Sequence, residues 1–192
     1  MKDELFPFQK IAVGNLRKLT AVALRNYRDI HVPQVISLQA PTGAGKTIIM
    51  AEFVEEVYFG SGQSNVQFAE QPEAIFVWLS DSPALNEQSK QKFQLRADRL
   101  QFGQCITIEE KSFDMEMLED GNIYFLNTQK LGKSGNLSKH GNRRQYTIWE
   151  TLENTAREKS DHLYFIIDEA HRGMQGKDAG TATSIMQRFL KG

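Results

Sequence analysis

Apolar residues near the start of the chain recur at intervals of three and four positions, the pattern of a helix with one buried face. These residues are Phe8, Ile11, Ala12, Leu16, Leu19, Ala23 and Tyr27. They predict one long amphipathic helix over residues 8 to about 29. Further helices are predicted from Thr47 onward, from Pro83 to about residue 99, and over residues 145–159. A last amphipathic pattern, at residues 185–190, predicts a helix near the end of the chain.

Short apolar runs separate these helices. They occupy residues 35–38, 74–79, 105–108, 123–126 and 163–167. Runs of this length, rich in Ile, Val, Phe and Trp, are typical of strands that are buried on both faces of a sheet. Because helical or polar segments connect them, we expect a mainly parallel sheet with helices on both faces. The predicted fold class is a three-layer α/β domain, and 192 residues are enough for one such domain.

Composition narrows the class of protein. Hydrophobic residues make up 40 % and charged residues 24 %, which excludes a chain that is disordered throughout. The 23 Lys and Arg residues nearly balance the 24 Asp and Glu residues, so binding of a polyanion would depend on local clusters of charge. The single cysteine, Cys105, excludes an internal disulfide and favours a cytoplasmic location. No apolar run approaches the roughly 20 residues that cross a bilayer, so we do not expect a membrane protein.

A glycine-containing loop follows the first predicted strand and leads into a predicted helix. Its sequence is Ala40-Pro41-Thr42-Gly43-Ala44-Gly45-Lys46-Thr47. Gly43 and Gly45 let the backbone curl so that successive N–H groups point at phosphate oxygens, and the positive end of the following helix favours the same anion. In such a loop Lys46 contacts the β- and γ-phosphates and the Thr47 hydroxyl binds Mg²⁺. We therefore predict a phosphate-binding loop, although Ala40 stands where the common pattern has its first glycine.

Acidic residues follow the last predicted strand, in the sequence Asp168-Glu169-Ala170-His171. Carboxylates at the C-terminal end of a parallel strand lie in the crevice where such sheets bind ligands. Near a metal held by Thr47, Asp168 can bind Mg²⁺ directly or through water, and Glu169 can polarise the water that attacks the γ-phosphate. Taken alone, such a pair is more often a helix start or a solvated turn. The phosphate loop is what favours the catalytic interpretation.

Together these segments resemble the motifs of superfamily 2 helicases and translocases. Residues 40–47 are similar to motif I of that superfamily and residues 168–171 to motif II. Residues 76–88 resemble motif Ia, residues 127–131 motif Ib, and residues 6–9 the adenine-recognising glutamine motif. Within the superfamily, the chain is most similar in character to the ATP-dependent subunit of type III restriction enzymes.

The resemblance implies a RecA-like motor domain over residues 1–192, with ATP and Mg²⁺ as cofactors and a glutamine-motif helix at residues 6–29. It also implies that Gln9 reads the adenine edge beside Phe6 or Phe8, and that His171 relays the nucleotide state to motif III. The arginine that usually precedes this glutamine is absent, and the alternative for Gln9 is a surface residue in a first helical turn. For His171 the alternative is an imidazole that is exposed or satisfied within the core.

Family members continue after motif II with motif III and a second RecA-like domain, which supplies an arginine finger. The triplet Thr181-Ala182-Thr183 imitates motif III, but it lies only ten residues beyond His171 and no apolar strand precedes it. We therefore expect the chain to be the N-terminal part of a longer motor, without motif III or the second domain. Because an arginine finger contributes roughly 10³ to 10⁵ in rate, residues 1–192 should bind ATP and hydrolyse it slowly.

Residues 121–149 include no acidic residue and five basic ones. The basic residues are Lys130, Lys133, Lys139, Arg143 and Arg144. With Thr128 and Gln129 of the segment that resembles motif Ib, they form a candidate contact for nucleic-acid phosphates. The alternative is a solvated loop without a partner, which is the usual role of a charge run.

The sequence thus favours the first motor domain of a nucleic-acid-dependent ATPase, a helicase or translocase of a restriction or defence system. DNA is the favoured substrate, and the expected partners are the second RecA-like domain and restriction-modification subunits. The competing interpretation is a P-loop ATPase switch or regulatory subunit that remodels a protein partner without translocation. The segments that resemble motifs Ia and Ib argue against it.

Overall fold

The computed structural model describes residues 4–61, 68–131, 136–140 and 144–168 of the chain. Helices in these ranges are α1 (Pro7–Ile30), α2 (Lys46–Phe59), α3 (Pro83–Arg96) and α4 (Ile148–Lys159). Strands in the same ranges are β1 (Ile75–Ser80), β2 (Cys105–Thr107), β3 (Ile123–Asn127) and β4 (Leu163–Ile167). Each of these elements was predicted from the sequence, and every end that was predicted differs from the observed one by three residues or fewer; for α2 only the start was predicted.

The strands form one parallel sheet in the order β2-β3-β1-β4. Trp78 in β1 lies opposite Phe125 of β3 on one side and Ile166 of β4 on the other. Because the strands run in one direction, their C-terminal ends share one edge of the sheet, which we call the carboxyl edge. Ser80 and Asn127 end β1 and β3 there and are register partners. The predicted parallel α/β sheet is confirmed.

Alternate residues of the strands feed two separate cores. Phe76 and Trp78 of β1 pack with buried residues of α1, α2 and α3 on one side, which we call the helical face. Val77 and Leu79 pack on the other side with α4, with apolar residues of 108–118, and with Leu131 and Leu137; we call this side the loop face. Helices therefore cover both sides of the sheet, as the predicted three-layer class requires.

Short-range signals set where α3 and α4 begin. The Ser82 hydroxyl accepts a hydrogen bond from the Leu85 N–H at 3.2 Å, and Pro83 fills the first position of α3, where its missing N–H costs nothing. In α4, Thr147 and Glu150 cap each other reciprocally, with the Thr147 N–H 2.7 Å from the Glu150 carboxylate. This capping box explains why α4 begins after Thr147 and not at residue 145.

The strand predicted at residues 35–38 is not part of the sheet. Ile36 and Leu38 are half-buried against the helical face while Val35 is 68 % exposed, the alternation of an extended segment. Among the described residues, however, no strand pairs with this segment, so the prediction of a strand is wrong. Periodicity reports which side chains are buried and not which backbone groups are paired. The helix predicted at 185–190 lies outside the described residues.

Within the ranges that the structure describes, no helix is both long enough and apolar enough to cross a membrane.

Candidate nucleotide-binding site

Two glycines shape the loop that precedes α2. Gly43 and Gly45 have φ angles of 85° and 78°, in the left-handed region that residues with a Cβ rarely adopt. The Ala44 N–H donates to the Pro41 carbonyl at 3.2 Å, which closes a turn. The Gly45 carbonyl then accepts the first helical hydrogen bonds of α2. The loop therefore delivers the chain directly into the N-terminus of a 14-residue helix.

The residues of this loop fit a phosphate group. A Cβ placed on Gly43 would meet no heavy atom within 4 Å, so this side of the loop is open. The first turn of α2 carries no acidic residue, so nothing there opposes the attraction of the helix N-terminus for an anion. The ammonium of Lys46 lies 3.2 Å from the Ala40 carbonyl, folded back along the loop. Thr47, half-buried in the same helical turn, offers the hydroxyl oxygen that Mg²⁺ favours.

Gln9 joins α1 to this loop. Its side-chain oxygen accepts the Phe6 N–H at 3.0 Å, and its amide nitrogen donates to the Ala44 carbonyl at 3.1 Å. Gln9 is only 5 % exposed, so the alternative of a surface residue is wrong. The rings of Phe6 and Phe8 stack beside it with centroids 6.0 Å apart, and both are at least half exposed. An exposed aromatic pair next to a buried amide is a surface on which a flat heterocycle can lie.

Gly45 suits the positive φ of the backbone and also leaves room for the Gln9 amide. A Cβ on Gly45 would lie 2.7 Å from the amide nitrogen of Gln9, closer than real Cβ contacts come. Any side chain at position 45 would therefore displace the hydrogen bond between Gln9 and the loop.

Asp168 follows β4 at the carboxyl edge. Its N–H donates to the Leu79 carbonyl at 2.9 Å, which extends the β1–β4 ladder by one residue and fixes the Asp168 backbone at the strand end. Of the residues that resemble motif II, Glu169 and His171 lie outside the described part of the chain. The structure therefore places one of the three predicted motif II side chains, at the edge where it was expected.

The segment that resembles motif Ib begins at the end of β3 and forms the 3₁₀ turn Thr128–Leu131. The Gln129 N–H donates to the side-chain oxygen of Asn127 at 2.7 Å, which sets the turn. Thr128 is half-buried and Gln129 is exposed, so both predicted nucleic-acid donors lie near the protein surface at the carboxyl edge.

Lys130 does not extend freely from this turn. Its side chain is 19 % exposed, its ammonium donates to the Ile108 carbonyl at 2.9 Å, and the Glu109 carboxylate lies 3.5 Å away. Contact of Lys130 with nucleic acid would require these bonds to be shared or broken.

Arg144 is also engaged inside the protein. Its Nε donates to the Phe113 carbonyl at 3.1 Å, and its terminal nitrogens donate to the carbonyls of Glu110 and Asn136. The guanidinium thus ties the 108–118 segment and residue 136 to the part of the chain just before α4. Lys139 is exposed, whereas Lys133 and Arg143 fall outside the described residues.

A buried polar cluster at the carboxyl edge was not singled out from the sequence. Ser80, Asn86 and Asn127 are each at most 4 % exposed. The Ser80 hydroxyl lies 3.1 Å from the side-chain oxygen of Asn86, which links β1 to α3. The available signal was that two apolar strands, β1 and β3, both end in a polar residue. The bond between Ser80 and Asn86 lies within the segment that resembles motif Ia, and the register of β1 and β3 places Asn127, at the start of the segment that resembles motif Ib, beside Ser80.

Comparison with protein-family models matches residues 2–191 to the model described as Type III restriction enzyme, res subunit. The matched range contains the loop at 40–47, the carboxyl edge and the turn at 128–131. Searches of curated proteins and of solved structures gave no match.

Proposed function

Since the chain belongs to the family of the type III restriction enzyme res subunit, a helicase-like ATP-binding family with a RecA-like fold, we propose that it is the first motor domain of a DNA helicase or translocase. In this proposal residues 1–192 form the first of two RecA-like domains, and the protein serves a restriction or defence system beside restriction-modification subunits. The observation that carries the proposal is the loop at 40–47, which is open at Gly43, leads into α2 and is bonded to the buried Gln9.

Residues 42–47 of the loop and the neighbouring Gln9 have proposed roles in binding ATP. The backbone N–H groups of residues 42–47 bind phosphate oxygens, and Lys46 neutralises charge on the β- and γ-phosphates. The adenine edge contacts Gln9, with Phe6 or Phe8 against the ring. Because the Gln9 amide is already bonded to Ala44, adenine binding would act on the loop directly.

The hydrolytic step is assigned to the acidic end of β4. Thr47 and Asp168 would hold Mg²⁺, which supplies charge neutralisation at the phosphates. Glu169 would orient and deprotonate the attacking water, and His171 would relay the nucleotide state to a following motif. The arginine finger belongs to the second domain in this scheme, so the chain alone should hydrolyse ATP slowly.

For nucleic acid, we propose contact through Thr128, Gln129 and Lys139, with Arg143 as a further cation. Hydroxyl, amide and ammonium donors of this kind bind phosphate oxygens without reading bases. Lys130 and Arg144 contribute by holding the turn and the loop face in shape, through the backbone bonds described above.

The decisive measurement is Mg·ATP affinity by isothermal titration calorimetry for the chain, for Lys46→Ala and for the matched control Lys111→Ala. Lys111 is an exposed lysine in the 108–118 segment. A charge-assisted hydrogen bond is worth about 1.5–3 kcal/mol, so Lys46→Ala should weaken binding roughly 10- to 100-fold and Lys111→Ala should not. Equal affinity for the chain and Lys46→Ala would refute the proposal.

One observation favours a second candidate, an ATPase switch that remodels a protein partner without translocation. Two of the residues predicted to contact nucleic-acid phosphates, Lys130 and Arg144, are bonded to the protein's own backbone. The two candidates differ in DNA binding: the motor requires salt-dependent affinity that falls on Lys139→Glu, whereas the switch predicts affinity that is weak and indifferent to this change.

A further inference from the structure

Two polar contacts join α1 to α2 and to the loop that precedes it. Gln9, in the first turn of α1, bonds to Ala44 at the start of α2, and Arg17 bonds to Glu56 near the end of α2. Eight residues of α1 separate Gln9 from Arg17, a rise of about 12 Å, and ten residues of α2 separate Lys46 from Glu56, about 15 Å. The two helices therefore run side by side in the same direction, with one polar contact at each end of their seam.

The contact between Arg17 and Glu56 is an ion pair removed from solvent. The Arg17 Nη1 lies 2.7 Å from the Glu56 carboxylate, and the two side chains are only 9 % and 13 % exposed. Arg17 Nε is buried and, among the described residues, has no hydrogen-bond partner. Replacing such a pair by apolar side chains is often neutral or stabilising, so stability alone does not account for it.

The seam between the two contacts is apolar. Val13 and Leu16 of α1 are 3 % and 7 % exposed and belong to the same buried cluster as Ile49 and Phe53 of α2. Apolar surfaces attract without direction, so they tolerate small sliding of one helix along the other. A buried, directional ion pair does not, because sliding would leave two desolvated charges unpaired.

Sliding of α1 along α2 would lengthen the hydrogen bond between Gln9 and the loop at 40–47. The bond from Gln9 to the Ala44 carbonyl measures 3.1 Å, so a shift of a few tenths of an ångström takes it to the limit of a hydrogen bond. The Ala44 carbonyl belongs to the peptide group next to Gly45, one of the two residues that give the loop its curl.

We propose that Arg17, through its ion pair with Glu56, is a positioning residue for the phosphate loop. The pair sets the register of α1 on α2, and the register holds Gln9 on Ala44. Arg17 thereby raises affinity for ATP without touching it, an inference that rests on the proposed nucleotide site. A buried pair that selects one register among close alternatives is the best-attested use of buried charge.

The test compares Mg·ATP affinity with thermal stability in Arg17→Met, Glu56→Gln and the control Leu152→Ala. Leu152 is fully buried in α4 on the loop face, so its truncation lowers stability without touching the seam. Below their unfolding midpoints, Arg17→Met and Glu56→Gln should bind ATP about tenfold more weakly, whereas Leu152→Ala should bind as the unaltered chain does. Arg17→Lys keeps the charge and should recover part of the loss. Glu56→Gln, nearly isosteric, provides the comparison if Arg17→Met does not fold.

A double-mutant cycle identifies the route of the effect. If Arg17 acts through Gln9, then Gln9→Ala and Arg17→Met together should weaken binding by less than the product of their separate effects. Unchanged affinity in Arg17→Met and Glu56→Gln would overturn the inference, and so would equal loss in Leu152→Ala or full additivity with Gln9→Ala. Failure of the proposed nucleotide site is recognised separately, because the unaltered chain and Lys46→Ala would then bind ATP alike.

Discussion

The two faces of the sheet are built by different means. On the helical face, three long helices cover the sheet, and the buried contacts are mainly apolar, from Val13 and Leu16 to Phe93. On the loop face, α4 is the only α-helix that the described residues contribute. Irregular segments supply most of the remaining cover. Side chains hold these segments by bonding to their backbone, as where Thr155 accepts the Leu118 N–H at 2.9 Å.

Charged side chains bond to the backbone on both faces. On the helical face, the Lys46 ammonium donates to the Ala40 carbonyl of the loop at 40–47, and Arg99 donates to the carbonyls of Phe59 and Gly60. On the loop face, Lys130 and Arg144 satisfy backbone carbonyls that no helix or strand would satisfy. A basic side chain near a site can therefore bond to the loop that frames the site, and the sequence alone does not show which basic residues do so.

The largest expected effect separates the two cores. Phe53→Ala in α2 should cost about 3–5 kcal/mol of unfolding free energy, and Leu152→Ala in α4 about 2–5 kcal/mol, since both side chains are buried in their respective clusters. Urea unfolding measures both losses. Only Phe53→Ala should also weaken Mg·ATP binding in the folded protein, because α2 begins at the loop. Equal weakening in the two variants would erase the distinction between the faces.

The next largest loss of stability is expected for Arg144→Met. It leaves the carbonyls of Glu110, Phe113 and Asn136 without their donor, at a cost of about 1–3 kcal/mol of unfolding free energy. Lys139→Met, at an exposed position, should stay within about 0.5 kcal/mol. Binding to DNA is expected to show the reverse order, and a larger loss of DNA affinity in Arg144→Met would return Arg144 to the binding surface.

A pH dependence is expected from Asp114, which anchors the loop face before α4. The N–H groups of Gln145 and then Tyr146 donate to its carboxylate and hold its pKa below the ordinary value. The stabilisation is present above the unfolded pKa of about 3.9 and is lost as the pH falls through the lower folded pKa. Asp114→Asn should therefore reduce the melting temperature at neutral pH, with a difference that shrinks below about pH 4. Glu158→Gln controls for loss of one negative charge, and an unchanging difference would contradict the assignment.

The smallest effect is expected on the helical face, at Glu52 of α2. Burial, and then the neighbouring Glu55 and Glu56 carboxylates, raise the pKa of Glu52. An acid with a raised folded pKa destabilises the fold once it ionises, so Glu52→Gln should raise the melting temperature at neutral pH by no more than about 2 °C. The gain should vanish as the pH falls below the unfolded pKa of about 4.3. Calorimetric scans across this range would show a gain that persists in acid if the cause were not ionisation.

Local patterns were enough to predict the helices and strands on both faces of the sheet. The spacing of Phe8, Leu16 and Tyr27 gave α1, and the continuous run at 163–167 gave β4 with the bounds observed. The loop at 40–47 was predicted by its glycines and its place before a helix, and both glycines have the backbone angles that the prediction requires.

Contacts between distant residues could not be predicted. Gln9 meets Ala44 across 35 positions, and Arg144 meets its acceptors across as many as 34, so no spacing rule relates them. The extended segment at 35–38 shows the same limit. Its alternation of apolar and polar residues from Ile36 onward is visible in the sequence, but the sequence does not show that no described strand pairs with it. Short stretches of sequence indicate which side chains are buried and where the chain turns. The partners of charged groups depend on the whole fold.

Because a Cβ at position 45 would lie 2.7 Å from the Gln9 amide nitrogen, we expect the effects of substitutions at positions 9 and 45 to depend on each other. The Gln9 amide ends a flexible side chain and can move aside, so alanine at 45 would cost mainly the bond from Gln9 to Ala44 and the strain of a positive φ. In a library that randomises both positions, a shortened side chain at 9 should therefore remove part of the penalty of alanine at 45 and leave the backbone strain in place.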